Sequence, residues 1–232
     1  KTNNCLFQSY STGKNILQVE PSTFIQKMEK AGVRRGYVVH NVKTKETQAS
    51  HPLFAQVAEV VVNDKRDFVG HEALFFEVGK RSNSLMAAFL QKTVRGTPQG
   101  GVRLWTYNTL EAAVRDGLRL STGMGRKNSL AGLWWGGGKG IIVKQDGLNY
   151  EDPAVRDQVF HDYGDFLTGL RGAYYGAEDV GLTPEDTARM FAKTRFMTCI
   201  PQNLGGSGNP SQSTGKGVVA AMEAALDFLK MG

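Results

Sequence analysis

The chain has 232 residues and a mass of 25.4 kDa, long enough to bury a core, and its 41% hydrophobic, 22% charged and 9% aromatic content excludes a disordered, low-complexity or collagen-like polypeptide. The formal charge of +6 is uneven, because residues 1–150 hold 21 Lys and Arg against 11 Asp and Glu while residues 151–232 hold 7 against 11. The basic residues are scattered rather than run together, so an anionic small molecule is a better expected partner than nucleic acid, and no apolar run approaches the roughly 18 residues of a membrane span.

Residues 1–35 read as a lead segment with a short helix over Pro21–Lys30, where proline suits the first helical position. The period then changes. YVVHNV (37–42), VAEVVV (57–62) and LMAAFL (85–90) are short, Val- or Leu-rich and bounded by polar residues or glycine, which predicts strands, and QGGVRLWTY (99–107) predicts another. From Asn108, which forms a capping box with Glu111, Leu110, Ala113, Val114, Gly117 and Leu118 recur at helical spacing, and this helix should end near Gly123–Gly125. A glycine turn, WWGGGKG (134–140), is expected to lead into a buried strand, IIV (141–143). Asp152 and Pro153 open a helix with an apolar face of Val155, Val159, Tyr163, Phe166 and Leu170. Thr183, followed by proline and two acids, starts the next, and a last helix follows Thr214 with Val218, Met222, Ala225 and Leu229 on one face. Strands alternating with helices predict one α/β domain, a three-layer α/β/α arrangement around a mostly parallel sheet.

Chemistry points to three places where charges stand beside glycines: Met124–Asn128, Gly136–Gly140 and Gly176–Gly181. Twenty-eight glycines in 232 residues exceed the usual roughly 7%, which predicts many positions of positive φ or of close backbone approach. A competing reading makes these glycines plain turns and these charges solvated. The Gly136–Gly140 run is not a Walker A loop, since Leu133 and Gly140 stand where glycine and Ser or Thr are required. GxGxxG also fails, with Ser211 after Gly206 and Gly208, and Asn128 after Gly123 and Gly125. A lysine crowded by glycines, desolvated and near the cation of Lys127, is suited to act as a base near neutrality, with Asp179 as a complementary proton shuttle. No metal site is expected: the four histidines lie outside these segments, and Cys5 and Cys199 are far apart with no knuckle or CxxC spacing.

GGVRLWTY (100–107), GMGRKNSLAGLWWGGGKGIIV (123–143), GAEDVGLTPED (176–186) and GGSGNPSQSTGKGVVAAMEAAL (205–226) resemble, in order, signature blocks of the glutamate, leucine, phenylalanine and valine dehydrogenase family. The wording is nearest the leucine/phenylalanine/valine branch. The resemblance implies an N-terminal, substrate-binding and oligomerisation domain over residues 36–213, with residues 214–232 as a helix linking to a nucleotide-binding Rossmann domain not contained in this sequence. It implies NAD- or NADP-dependent oxidative deamination of an L-amino acid to a 2-oxo acid and ammonia, with the chain by itself inactive. It also implies a homo-oligomer, with no nucleic acid or membrane partner.

Residue by residue, the resemblance makes Lys127 the ligand of the substrate α-carboxylate, Lys139 the low-pKa lysine that activates water, and Asp179 the proton carrier for the amino nitrogen. Gly100 and Gly101, with Ala177, wall the substrate side chain, while Asn209 and Thr214 face the nicotinamide. Gln99 stands where glutamate-specific members carry a lysine and branched-chain members an aliphatic residue, which predicts a neutral substrate side chain. Trp134 and Trp135 replace small or aliphatic residues of the family and are expected to narrow the pocket if they face it. The alternatives are a catalytically silent structural relative within a larger assembly and an unrelated basic binding domain. Cysteine usage and a start whose first acid is Glu20 fit an intracellular protein, of the cytoplasm or of the mitochondrial matrix next to a removed presequence.

Overall fold

The computed structural model describes residues 15–231. Seven strands form one sheet: β1 (Arg35–His40), β2 (Thr47–Ala49), β3 (Ala73–Val78), β4 (Leu85–Lys92), β5 (Pro98–Trp105), β6 (Gly136–Val143) and β7 (Tyr175–Glu178). Their spatial order is β2-β1-β3-β4-β6-β5-β7. Six helices accompany them: α1 (Pro21–Lys30), α2 (Pro52–Val62), α3 (Leu110–Leu130), α4 (Pro153–Gly169), α5 (Pro184–Phe191) and α6 (Ser211–Leu229).

The three layers are visible in the alternation of β4. Leu85, Ala87 and Phe89 enter a core with Phe24 of α1, Phe54 and Val57 of α2, and Val114 and Leu118 of α3. Met86, Ala88 and Leu90 enter a second core with Phe160, Tyr163 and Phe166 of α4 and Met190 of α5. The period of two in the strand therefore feeds both faces at once.

The expectation of a mostly parallel sheet is corrected. β1–β2, β1–β3, β3–β4 and β4–β6 are antiparallel, and only β5–β6 and β5–β7 are parallel. The cause lies in the connections: β3 and β4 join through a short hairpin, whereas α3 and α4 provide the crossovers that parallel neighbours need. That hairpin is held to α4 by Asp162, whose carboxylate accepts from the Arg81 and Ser82 amides at 2.9 and 2.8 Å and pairs with Arg81 Nη1 at 2.8 Å.

Residues 57–62 are helix, not strand. His51 caps α2 by accepting from the Leu53 amide, Pro52 takes the first position, and Phe54, Val57, Ala58 and Val61 repeat at helical spacing into the core. Burial of that stripe overrides the modest helix propensity of valine. Three strands that the sequence did not predict complete the sheet: the apolar β3, the more polar β2 and the short β7.

Three boundaries also move. Thr109 rather than Asn108 caps α3, accepting from the Ala112 amide at 3.1 Å. The helix does not stop at Gly123–Gly125 but runs to Leu130, so Lys127 is helical. α6 begins at Ser211, before Thr214, and all its described residues are exposed, including Val218, Met222 and Leu229. Pro21, Asp152 and Thr183 stand where the sequence places them, the last in a capping box with Asp186.

Gly136–Gly140 is no turn but the first half of β6, buried throughout. None of these glycines has positive φ. Close approach demands them. A Cβ on Gly137 would collide with the Ser121 carbonyl oxygen of α3, and one on Gly140 with the Tyr163 hydroxyl of α4. Gly137→Ala should therefore destabilise the fold by about 1–3 kcal/mol. Gly123→Ala, in the open interior of α3, should stabilise it by about 0.5–1 kcal/mol, both read from urea unfolding.

Buried His71 adds an acid sensitivity. Its Nε2 lies 2.9 Å from the Leu118 carbonyl oxygen, Nδ1 has no partner among the described residues, and burial lowers its pKa to about 4. Between pH 6.5 and 4 the unfolded chain binds a proton that the folded chain does not, so stability falls as pH drops through that window and levels below it. His71→Gln should flatten this part of the stability profile, whatever its effect at pH 7.

Candidate active site

Lys139 sits in the middle of β6, between Gly138 and Gly140, with 4% of its side chain exposed. Its neighbours on the strand meet the second core, Gly138 against Tyr174 and Gly140 against Tyr163, whereas Gly137 meets Ser121 and Gly125 of α3. Alternation thus sends the Lys139 side chain to the α3 face. There Nζ donates to Oδ2 of Asp179, the residue that follows β7.

The same oxygen accepts from Arg103 Nε of β5 at 3.2 Å. Arg103 Nη1 reaches Asp116 Oδ2 of α3 at 2.9 Å, and the Tyr107 hydroxyl donates to that Asp116 oxygen at 2.7 Å. The result is a chain of alternating charge, Lys139–Asp179–Arg103–Asp116, closed by a phenol. Gly101 gives it room, since a Cβ there would lie 2.6 Å from the Asp179 Cβ.

Burial is the largest influence on Lys139 and holds its pKa below the ordinary lysine value, although Asp179 opposes this. Burial alone would raise Asp179, but the Lys139 ammonium, reinforced by Arg103, outweighs it and holds the carboxyl below its ordinary value. Each group follows its surroundings: the amine is almost fully enclosed, whereas the Asp179 side chain keeps 23% of its surface in solvent. The cation that faces Lys139 is Arg103, not Lys127. Burial, together with the hydrogen bond to Asp116, holds the Tyr107 phenol neutral.

The other expected residues are less uniformly gathered. Ala177 is buried in β7 opposite Gly101, and a Cβ on Gly100 would meet Met124 of α3 at 2.9 Å. Lys127 is exposed in the last turn of α3 and has no ion-pair partner among the described residues. Eleven residues beyond Asp116, it returns to nearly the same helix face about 16 Å further on. Gln99 on β5 donates through Nε2 to Thr198 Oγ1 at 3.1 Å, and that hydroxyl donates to the Gly176 carbonyl at 3.1 Å. Trp134 projects outward, 82% exposed beneath Arg95, while Trp135 packs on Tyr175 at 5.1 Å between ring centroids.

Asn209 and Thr214 serve the start of α6: Asn209 Oδ1 accepts from the Ser211 amide at 2.7 Å and Thr214 Oγ1 donates to the Pro210 carbonyl at 3.0 Å. Neither makes a hydrogen bond to the Lys139 cluster. Arg103, Tyr107, Asp116 and Thr198 were missed by sequence reasoning. The first two lie inside the block GGVRLWTY, but no local pattern marks Asp116 or Thr198.

The coupling of the pair is measurable. Asp179→Asn strands a buried amine and should cost about 3 kcal/mol in urea unfolding at neutral pH. Adding Lys139→Met should recover part of that loss, giving a double variant more stable than Asp179→Asn alone.

Comparison with known proteins agrees with this architecture. Residues 83–196 match the family model "Glu/Leu/Phe/Val dehydrogenase, dimerisation domain". The chain is 40% identical over 157 residues to leucine dehydrogenase of Bacillus subtilis, covering 67% of this chain and 41% of that protein. It is 33% identical over 159 residues to phenylalanine dehydrogenase of Lysinibacillus sphaericus, covering 68% and 40%. It spans about two fifths of the length of these relatives. In fold, it is similar to the hetero-hexameric glutamate dehydrogenase of Thermus thermophilus, with a TM-score of 0.55 and 17% identity over 97% of this chain and 51% of that one. Through residues 83–196 the chain belongs to the Glu/Leu/Phe/Val dehydrogenase family, as its dimerisation domain.

Proposed function

We propose that this chain is the substrate-binding part of an amino-acid dehydrogenase that oxidatively deaminates an L-amino acid of neutral side chain to a 2-oxo acid and ammonia. The observation that carries this reading is the buried Lys139 amine bonded to Asp179 at the end of a parallel strand, where α/β sheets place their ligands. A lysine whose ammonium is penalised by burial releases its proton more readily than an exposed one and can then serve as a base.

In this reading Lys139 takes a proton from the water that attacks the substrate carbon, and Asp179 carries protons to and from the amino nitrogen. Asp179 Oδ1 is suited to this, because both protein cations sit on Oδ2. Lys127 pairs with the α-carboxylate, and Gly100, Gly101 and Ala177 wall the side chain. NAD or NADP, held by a separate nucleotide-binding domain, would take up the hydride that leaves the substrate Cα, with α6 as the connecting helix and self-association through residues 36–213. These assignments follow the family resemblance.

Gln99 supports a neutral substrate side chain. It brings no cation to a distal carboxylate, and one of its two amide protons is already donated to Thr198, which lessens the penalty of an apolar neighbour. Joining this chain after Gly232 to the nucleotide-binding domain of a leucine dehydrogenase provides the test. NADH formation is expected from leucine, valine or phenylalanine ahead of glutamate. Lys139→Ala should lower kcat by about 10²–10⁴ with little change in KM. A preference for glutamate, or full turnover by Lys139→Ala, would contradict the proposal.

A further inference from the structure

Arg103 bonds two carboxylates with two different nitrogens, Nε to Asp179 at 3.2 Å and Nη1 to Asp116 at 2.9 Å. A guanidinium is planar and its donors diverge at fixed angles, so this contact fixes the separation of β7 from α3 at the site. Arg103 and Lys139 also place their donors on the same Asp179 oxygen, Oδ2, and no side chain among the described residues bonds to Oδ1. The charged groups that face Lys139 are Asp179 beyond β7, Arg103 on β5 and Asp116 on α3. Tyr107 stands behind Asp116.

We propose that Arg103 is a positioning residue that competes with Lys139 for Asp179 Oδ2, and that Asp116 sets the strength of this competition by drawing the guanidinium away. This rests on the reading of Lys139 as the proton-transfer group and adds to it a control that the pair alone lacks. Although drawn toward Asp116, Arg103 still takes a part of the carboxylate that Lys139 would otherwise have whole. The proton on Lys139 is then less firmly held, while Asp179 stays ionised between two cations. Oδ1 is left to the substrate nitrogen.

The two partners of Lys139 on the far side act in opposite directions, and that gives the test a sign that general damage to the fold would not produce. Lysine 13Cε resonances of the 232-residue chain are followed from pH 6 to 12, with the Lys139 signal identified by its loss in Lys139→Arg. Lys139 in the unsubstituted chain should titrate below the exposed lysines. Arg103→Gln should raise its midpoint by about one pH unit, and Asp116→Asn should lower it. Arg103→Lys keeps the charge but not the fork, and should fall between the parent chain and Arg103→Gln.

An unchanged midpoint in Arg103→Gln overturns the role of Arg103 and leaves the function of Lys139 standing. A parent Lys139 that titrates with the exposed lysines overturns the functional reading itself. Should Arg103→Gln fail to fold, Asp116→Asn decides: an unchanged or raised Lys139 midpoint refutes the proposal.

Discussion

The close approach of β6 to its neighbours is the constraint on which the site depends. Its glycines let α3 lie on one side, with the Ser121 carbonyl near Gly137, and let Tyr163 and Tyr174 lie against Gly140 and Gly138 on the other. Those two tyrosines are fully buried, and the Tyr174 hydroxyl donates to the Gly100 carbonyl of β5 at 2.7 Å. A strand enclosed this tightly has little space for water. The one long side chain in its glycine half, Lys139, must find its partner within the protein.

That partner comes from sequence far away. Asp179 lies 40 residues beyond Lys139, and parallel pairing of β5 with β6 and β7 brings it into reach. Two cations and two carboxylates balance within the cluster, which limits the cost of enclosing them. Its exposure is graded, from 4% at the Lys139 side chain to 23% at Asp179 and 22% at Arg103. The amine is the member whose charge is least favoured, and the carboxylate is the member turned toward solvent. The proposed proton transfer would use this division, with the amine held below its ordinary pKa by burial and the carboxylate open to a substrate.

Local chemistry was legible in the sequence wherever one segment carried the whole signal. Pro21, Asp152 and Thr183 mark helix starts because capping depends on adjacent residues. Lys139 and Asp179 were legible as a pair because each stands in a distinctive glycine-flanked block. Misreadings arose where a distant contact decided the outcome. The valines of α2 look like a strand until the stripe from Phe54 to Val61 meets its core. The glycines of β6 look like a turn because nothing nearby in the sequence reveals the tyrosines and the helix that press on them. α3 passes through Gly123 and Gly125 because Gly125 lies against Gly137, so the expected stop is a packing site. Strand direction was misjudged for the same reason, and Asp116 could not be distinguished from any other acid on a solvated helix flank.

The central claim is that Lys139 is an enclosed amine bonded to Asp179. Its most direct measurement is 15N NMR of the Lys139 Nζ protons in the 232-residue chain at a pH where the amine is charged. The account predicts a resolved Lys139 signal whose hydrogen exchange is slow beside that of the exposed lysines, and which is lost in Asp179→Asn. A Lys139 ammonium that exchanges as fast as those of the exposed lysines would contradict it.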